Sequence, residues 1–522
     1  METPSRTDDV TSATPRATLT VDPAFRVGSV DRRVFGSFAE HMGRCIYTGL
    51  YEPDHPTADD RGYRRDVLDL VRELGPTVVR YPGGNFVSGY RWEDGVGPLS
   101  DRPRRLDLAW RAIEPNEFGV NEFMTWCATA DVEPMMAVNL GTRGVADAVE
   151  LLEYCNHSEG TRLSDLRRSH GAKEPHDVRL WCLGNELDGP WQIGHKTAHE
   201  YGRIAAETAH AMRRVDPGVE LVACGSSNTT MPTFASWEAT VLEECYDAVD
   251  HVSLHTYFDP SHRTVADFLA SSVVLDRAID AIVATADHVG ARLKSRKRLG
   301  VAVDEWNVWY QSRFGGEHTL DWTERRHLIE DIYDVADAVM VGSLLITLLR
   351  HADRVSIACQ AQLVNVIAPI LTEPGGRAWR QTIFHPFAQA AAVAGGVVLR
   401  VEPDVATYDA EPVGEVPLLD ATAVLDESTG ALTMLAVNRR TDGPLELDAD
   451  LRAFPGHRIG QATTLTHDEV GTTNTADHSD AVAPRPFPQV ELADGRLRAS
   501  LPPVSWNVVR LVPDSPMPPE RN

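Results

Sequence analysis

Val178-Arg179-Leu180-Trp181-Cys182-Leu183-Gly184-Asn185-Glu186 is a short β-prone apolar run that ends at a glycine and then presents an amide and a carboxylic acid. The pattern reads as a strand with a polar end, and it recurs along the chain. Val34–His41 ends in Glu40-His41, and Thr77–Pro82 leads into Arg80-Tyr81-Pro82-Gly83-Gly84-Asn85. His251–Tyr257 ends in His255-Thr256-Tyr257, Leu299–Trp306 in Asp304-Glu305-Trp306-Asn307, and Val355–Leu363 carries Gln360-Ala361-Gln362. Pro134–Leu140 and Glu220–Gly225 complete a set of eight strands. Helix-periodic stretches lie between them, among them Tyr63–Leu74, Val145–Tyr154, Thr197–Val215 and Asp267–Arg292. Eight strand–helix repeats over residues 31–383 predict an α/β protein, a (β/α)8 TIM barrel with enlarged loops. A doubly wound sheet is the competing architecture, but no GxGxxG or Walker sequence opens any of the helices.

Outside the barrel the pattern changes once. From about residue 396 to 512 helical patterns disappear and short strands recur between turns, such as Thr422–Leu425, Leu432–Val437 and Val504–Leu511, which predicts a jelly-roll-like β-sandwich over residues 384–513. Ala17–Val27 alternates like a strand, so residues 17–30 are expected to join that sandwich. The polar ends, 1–16 and 514–522, are expected to be tails.

The 50 basic and 76 acidic side chains leave a formal charge of −26. So acidic a surface repels nucleic acid and anionic lipid, and no partner of either kind is expected. The basic cluster Arg292–Arg298 closes a long helix, where cations suit the negative end of the dipole. The longest apolar run, Ala338–Leu349, falls short of the roughly 20 residues needed to span a bilayer and is expected to be a buried helix. Seven cysteines without a CxxC pair, and no apolar leader, predict a reduced, cytoplasmic protein.

The C-terminal strand ends of such a barrel converge on one mouth. Glu, Arg, Asn, His and Gln together at apolar strand ends are costly to bury unless they pair or bind a ligand. Glu186 and Glu305, on the fourth and seventh strands, face each other there. Two carboxylates about 5–5.5 Å apart suit a retaining glycosidase, and a wider gap suits an inverting one. An acidic metal site would gather more carboxylates and fewer amides and aromatics, so no metal or other cofactor is expected. Tyr81, Trp110, Tyr257, Trp306, Trp309 and Tyr310 lie on or near the mouth loops and offer ring faces to a sugar. Two other readings are a retaining endoglucanase or xylan-active hydrolase on the same scaffold, and a non-catalytic carbohydrate-binding protein.

Four of these blocks, Gly36-Ser37-Phe38-Ala39-Glu40-His41, Arg80 to Asn85, Trp181 to Glu186 and Asp304 to Tyr310, closely resemble the α-L-arabinofuranosidases of glycoside hydrolase family 51. Ala361-Gln362-Leu363-Val364-Asn365 and Ser505 to Leu511 share the likeness, which runs from about residue 17 to 512. The resemblance implies retaining, exo-acting release of terminal α-L-arabinofuranosyl residues from oligosaccharides by double displacement. It implies Glu186 as general acid/base and Glu305 as nucleophile. Glu40, Arg80, Asn85, Asn185, His255, Tyr257 and Gln362 would hold the sugar ring or orient the carboxylates, with Trp110 and Trp309 as aromatic subsite residues. It further implies a homo-oligomer, often a hexamer.

Overall fold

The computed structural model describes residues 14–514; the expected tails at 1–13 and 515–522 lie outside the described residues. Eight parallel strands close into a barrel, each paired to the next and the last to the first. They are β1 (Gly36–Phe38), β2 (Val78–Tyr81), β3 (Glu133–Ala137), β4 (Leu180–Leu183), β5 (Glu220–Ala223), β6 (His251–Phe258), β7 (Gly300–Val308) and β8 (Val355–Ala361). Closure is made by Cys359, Gln360 and Ala361 of β8 against Gly36, Ser37 and Phe38 of β1. The strands are rich in Val, Leu and Ile because both faces are covered, the inner by the barrel core and the outer by helices. Ala338–Leu349 lies within the helix Val335–Arg350, buried over nearly its whole length. No helix among the described residues is long and apolar enough to cross a membrane.

The helical stretch Asp267–Arg292 is not continuous. A short helix, Val265–Leu269, breaks before Ser272–Leu293 begins. Ala270 at the break packs against Ala410, Val413 and Val416 of a hairpin outside the barrel, so a tertiary contact interrupts the local periodicity. The basic cluster past that helix pairs with neighbouring acids, Lys297 with Asp250 at 2.9 Å and Arg298 with Asp353 at 3.6 Å.

The second unit stacks a four-stranded on a seven-stranded sheet. The single N-terminal strand expected over Ala17–Val27 is two strands. Arg16–Thr20 runs parallel to Leu445–Asp450 in one sheet, and Arg26–Ser29 pairs with Val397–Leu399 in the other. A turn at Asp22, whose carboxylate accepts the Ala24 N–H, carries the chain between the two sheets. Arg16 is therefore sheet, although the sequence assigned it to the tail. The helix Phe384–Ala391, beyond the expected barrel boundary at 383, packs on the barrel helices Arg65–Leu74 and Val335–Arg350. The seam between the units is built around Trp506, which lies against Gly342 and donates its indole N–H to Gln389 at 2.8 Å. Asp420, Arg439, Ser343 and Arg350 form a buried polar knot beside it.

Candidate active site

The polar strand ends meet over a cavity of about 480 Å³ at the barrel mouth. Glu186 follows β4 in a left-handed conformation, φ 45°, two residues after Gly184 at φ 95°. A non-glycine residue held there is strained, and the turn points its carboxyl into the cavity in place of continuing the strand. On β7 the pairing with β6 steps from Ser253–Ala302 to His255–Glu305, an extra residue on β7, and pairing with β8 lapses between Val303 and Trp306. Successive residues of a regular strand face opposite ways, and this bulge re-aims them. Asp304 and Glu305 consequently both reach Arg80, at 3.3 Å from Nε and 2.6 Å from Nη1.

One carboxylate oxygen each of Glu186 and Glu305, and a ring nitrogen of His255, all lie within 4.8 Å of one another. His255 Nδ1 donates to Glu186 Oε1 at 2.9 Å and lies 3.6 Å from Glu305 Oε2, while Nε2 faces Asp304 Oδ1 at 3.4 Å. The second Glu186 oxygen accepts the indole N–H of Trp191 at 2.9 Å. Glu305 accepts from Arg80 Nη1 on Oε1 and from the Tyr257 hydroxyl on Oε2, at 2.6 and 2.8 Å. Arg80 Nη2 also donates to Asn185 Oδ1 at 2.8 Å. Every carboxylate oxygen of the pair thus already accepts a hydrogen bond, and a guanidinium abuts Glu305. With those acceptor positions already taken, the environment opposes a cation placed among the three.

The electrostatics divide the carboxyls. Burial and the nearby Glu305 charge raise Glu186 above the ordinary carboxylate range, with the His255 and Trp191 bonds working against the rise. Burial opposes protonation of His255, but Glu305, Asp304 and Glu186 outweigh it and hold the imidazole well above its usual value. Burial likewise opposes a charge on Asp304, yet Arg80 and His255 keep its carboxyl well below the usual range.

Beside the pair, Glu40 Oε1 accepts from Phe86 N–H and Trp110 Nε1, both at 2.9 Å, and Oε2 from Gln362 Nε2 at 3.1 Å. Burial, then the Glu305 charge, push its pKa up to about 8. A Cβ on Gly84 would overlap the Glu40 carboxylate, so only glycine lets the chain pass there. Asn85 Oδ1 accepts from Gln192 Nε2 at 2.6 Å. Tyr257 and Trp309 meet edge to face at 5.4 Å and form one wall.

Of the residues expected from sequence, Glu40, Asn85, Trp110, Glu186, Tyr257, Glu305, Trp309 and Gln362 line the cavity. Arg80, Asn185 and His255 lie behind the wall, bonded to the groups that form it. Tyr81, Trp306 and Tyr310 are not on it. Tyr81 stacks on Phe123, Trp306 is fully buried, and the Tyr310 hydroxyl donates to Asp337. Sequence reasoning missed Trp191, Phe314 and the turn Ser227–Thr230, all on the cavity wall. It also missed Asp107, whose carboxylate accepts the backbone N–H groups of Ala109 and Trp110 and so sets the indole on Glu40. Trp191, Phe314 and the 227–230 turn sit in loops without periodicity, and Asp107 ends a three-residue strand, Arg105–Asp107, of a hairpin outside the barrel, so neither kind of segment carries a periodic signal.

A TIM barrel that brings two buried carboxyls this close, under an aromatic-walled pocket, has the arrangement that suits a glycoside hydrolase of the retaining kind. Two family models match: "Alpha-L-arabinofuranosidase 1 domain" over residues 70–278 and "Alpha-L-arabinofuranosidase C-terminal domain" over residues 304–505. The intracellular exo-α-(1→5)-L-arabinofuranosidase of Streptomyces lividans is 58% identical over 508 residues, 97% of this chain and 77% of that one. Its namesake 1 from Bacillus subtilis is 51% identical, across 95% of this chain and 99% of its own. Among solved structures, the family 51 α-L-arabinofuranosidase of Bifidobacterium longum superposes with a TM-score of 0.92 at 47% identity, covering 95% of this chain and all of that one. The chain belongs to the α-L-arabinofuranosidases of glycoside hydrolase family 51.

Proposed function

We propose that Glu305 is the nucleophile and Glu186 the general acid/base in hydrolysis of terminal α-L-arabinofuranosyl residues. The observation that carries this is the approach of their oxygens to within 4.8 Å, close to the spacing of a double displacement and short of the roughly 6.5–9.5 Å that inversion needs for a water. Glu305, held by Arg80 and Tyr257, attacks the anomeric carbon while Glu186 passes its proton to the departing oxygen. The ester then formed at Glu305 carries no charge, so part of what raised Glu186 disappears. Glu186, now a carboxylate steadied by His255 and Trp191, takes a proton from the water that cleaves the ester. Glu40, Asn85, Gln362, Tyr257, Trp110 and Trp309 hold the sugar, and Arg80, Asn185 and His255 orient the carboxyls. Catalysis belongs to the barrel, extended to the helix Phe384–Ala391, with the sandwich as its support.

The relatives' names favour α-(1→5)-linked arabino-oligosaccharides, although a Bifidobacterium longum relative 49% identical is named for the (1→6) linkage. Competition between the two disaccharides measures the preference. The intracellular names of those relatives also support a cytoplasmic enzyme acting on short oligosaccharides, and the family likeness supports a homohexamer, to be weighed by light scattering. Replacing each glutamate by alanine tests the roles. Glu305→Ala should abolish turnover of every substrate. Glu186→Ala should spare the first step for good aryl leaving groups and regain turnover with azide, giving the glycosyl azide. Near parental rates in both variants would defeat the assignment.

A further inference from the structure

We infer that Trp191 is a positioning residue for the acid/base: its indole N–H fixes the orientation of the Glu186 carboxyl and stabilises its anionic form. The inference rests on the role proposed for Glu186. Trp191 lies on the loop after β4, five residues beyond Glu186, and is 42% exposed. A large aromatic left so open, on the rim of the cavity, is not there to fill a core. Its one polar atom nevertheless donates to Glu186 Oε2 at 2.9 Å.

The ring is held in that pose from below. A Cβ on Gly189 would fall 2.5 Å from Trp191 Cε2, so the indole lies flat on bare backbone and no other residue at 189 leaves it room. The next residue, Gln192, is buried and anchored on Asn85 through its side-chain amide, while its backbone N–H donates to the Gly189 carbonyl and that of His195 to the Gln192 carbonyl, closing the loop. Loop, glycine and anchor together place one N–H donor on one carboxyl oxygen.

The consequence follows from how the carboxyl is shared. His255 donates to Oε1 and Trp191 to Oε2, so the acid's own proton is left the lone pairs that neither donor occupies. As that proton moves to the departing oxygen, both N–H groups strengthen on the new anion, because hydrogen bonds to a charged acceptor outweigh those to a neutral one. A donor to the charged form lowers a carboxyl's pKa, and losing it raises the pKa. The other groups facing Glu186 are His255 and Tyr257 from β6 and Glu305 from β7, with Arg80 behind Glu305 and Asp188 on the same loop. None of them changes when Trp191 is replaced by phenylalanine, which keeps a ring on Gly189 and removes the donor.

The test is the pH dependence of kcat/KM for methyl α-L-arabinofuranoside, whose poor leaving group needs the acid, in the parent and in Trp191→Phe. The alkaline limb reports the acid in the free enzyme. It should move to higher pH by about one unit, the scale of one charged hydrogen bond. In the Glu186→Ala background, where the limb belonging to the acid is absent, Trp191→Phe should shift no limb of the pH profile, since the group it acts through is gone. An unmoved alkaline limb, with KM raised alike for all leaving groups, would make Trp191 a sugar contact only and overturn the inference. Thermal melting of the variant confirms that an exposed loop residue was replaced without loss of fold. If azide fails to rescue Glu186→Ala at all, the acid/base reading fails, a result separate from the position of the limb.

Discussion

Arg80 on β2 and Glu305 on β7 meet at 2.6 Å, and the same guanidinium holds Asn185 and faces Asp304. One planar cation therefore ties together three strands and fixes two adjacent carboxylates that a bulge turns the same way. Lysine cannot serve three directions with a planar fork. Arg80→Lys should fold yet lose about two orders of magnitude in kcat, comparable to removing one preorganised electrostatic partner. Steady-state kinetics alongside a thermal melt checks this.

Gly84 is the contact that leaves Glu40 its place. A methyl group there overlaps the carboxylate and forces it away from Phe86, Trp110 and Gln362. Gly84→Ala should raise KM for aryl arabinofuranosides by about tenfold or more, the equivalent of roughly 1–3 kcal/mol of overpacking. Arabinose inhibition should weaken in parallel.

The buried acids leave a signature in stability. Folded Glu40 holds its proton to about pH 8, whereas its ordinary value is 4.5, so between those limits unfolding releases a proton. Its contribution is complete below about 4.5 and is lost as pH rises through 8. Asp107, raised by burial to about 7, acts in the same direction. Glu40→Gln has no proton to lose, and its Tm should fall less than the parent's between pH 5 and pH 8. Parallel Tm curves for the two proteins would refute a raised carboxyl at this position.

Trp506 seals the two units through Gly342 and Gln389. Trp506→Ala should cost about 3–5 kcal/mol, as large aromatic truncations do. Chemical denaturation should register that loss, while the activity per folded molecule stays near parental because the residue is not part of the cavity wall.

The barrel was legible because buried parallel strands need continuous apolar runs, and their polar ends stand out against them. Glu186 and Glu305 were legible for the same reason. What eluded the sequence depends on tertiary context. Ala17–Val27 alternates as one strand, and only the packing of two sheets divides it. Tyr81 and Trp306 sit at strand ends like Tyr257, but the direction of the side chain, core or cavity, depends on registers and bulges. His255 reads as a residue that holds the sugar or orients the carboxylates, and its position between three carboxyls depends on strand register that the sequence does not display. Trp191 acts from a loop and Asp107 from a three-residue hairpin strand, both too short or irregular for periodicity to encode.

The most direct test is mass spectrometry of peptides from enzyme trapped with a 2-deoxy-2-fluoro-α-L-arabinofuranosyl donor bearing a good leaving group. The account predicts one fluoroarabinosyl adduct, carried by the peptide containing Glu305 and lost on Glu305→Ala. An adduct on Glu186, or turnover that yields the inverted sugar without any adduct, would contradict it.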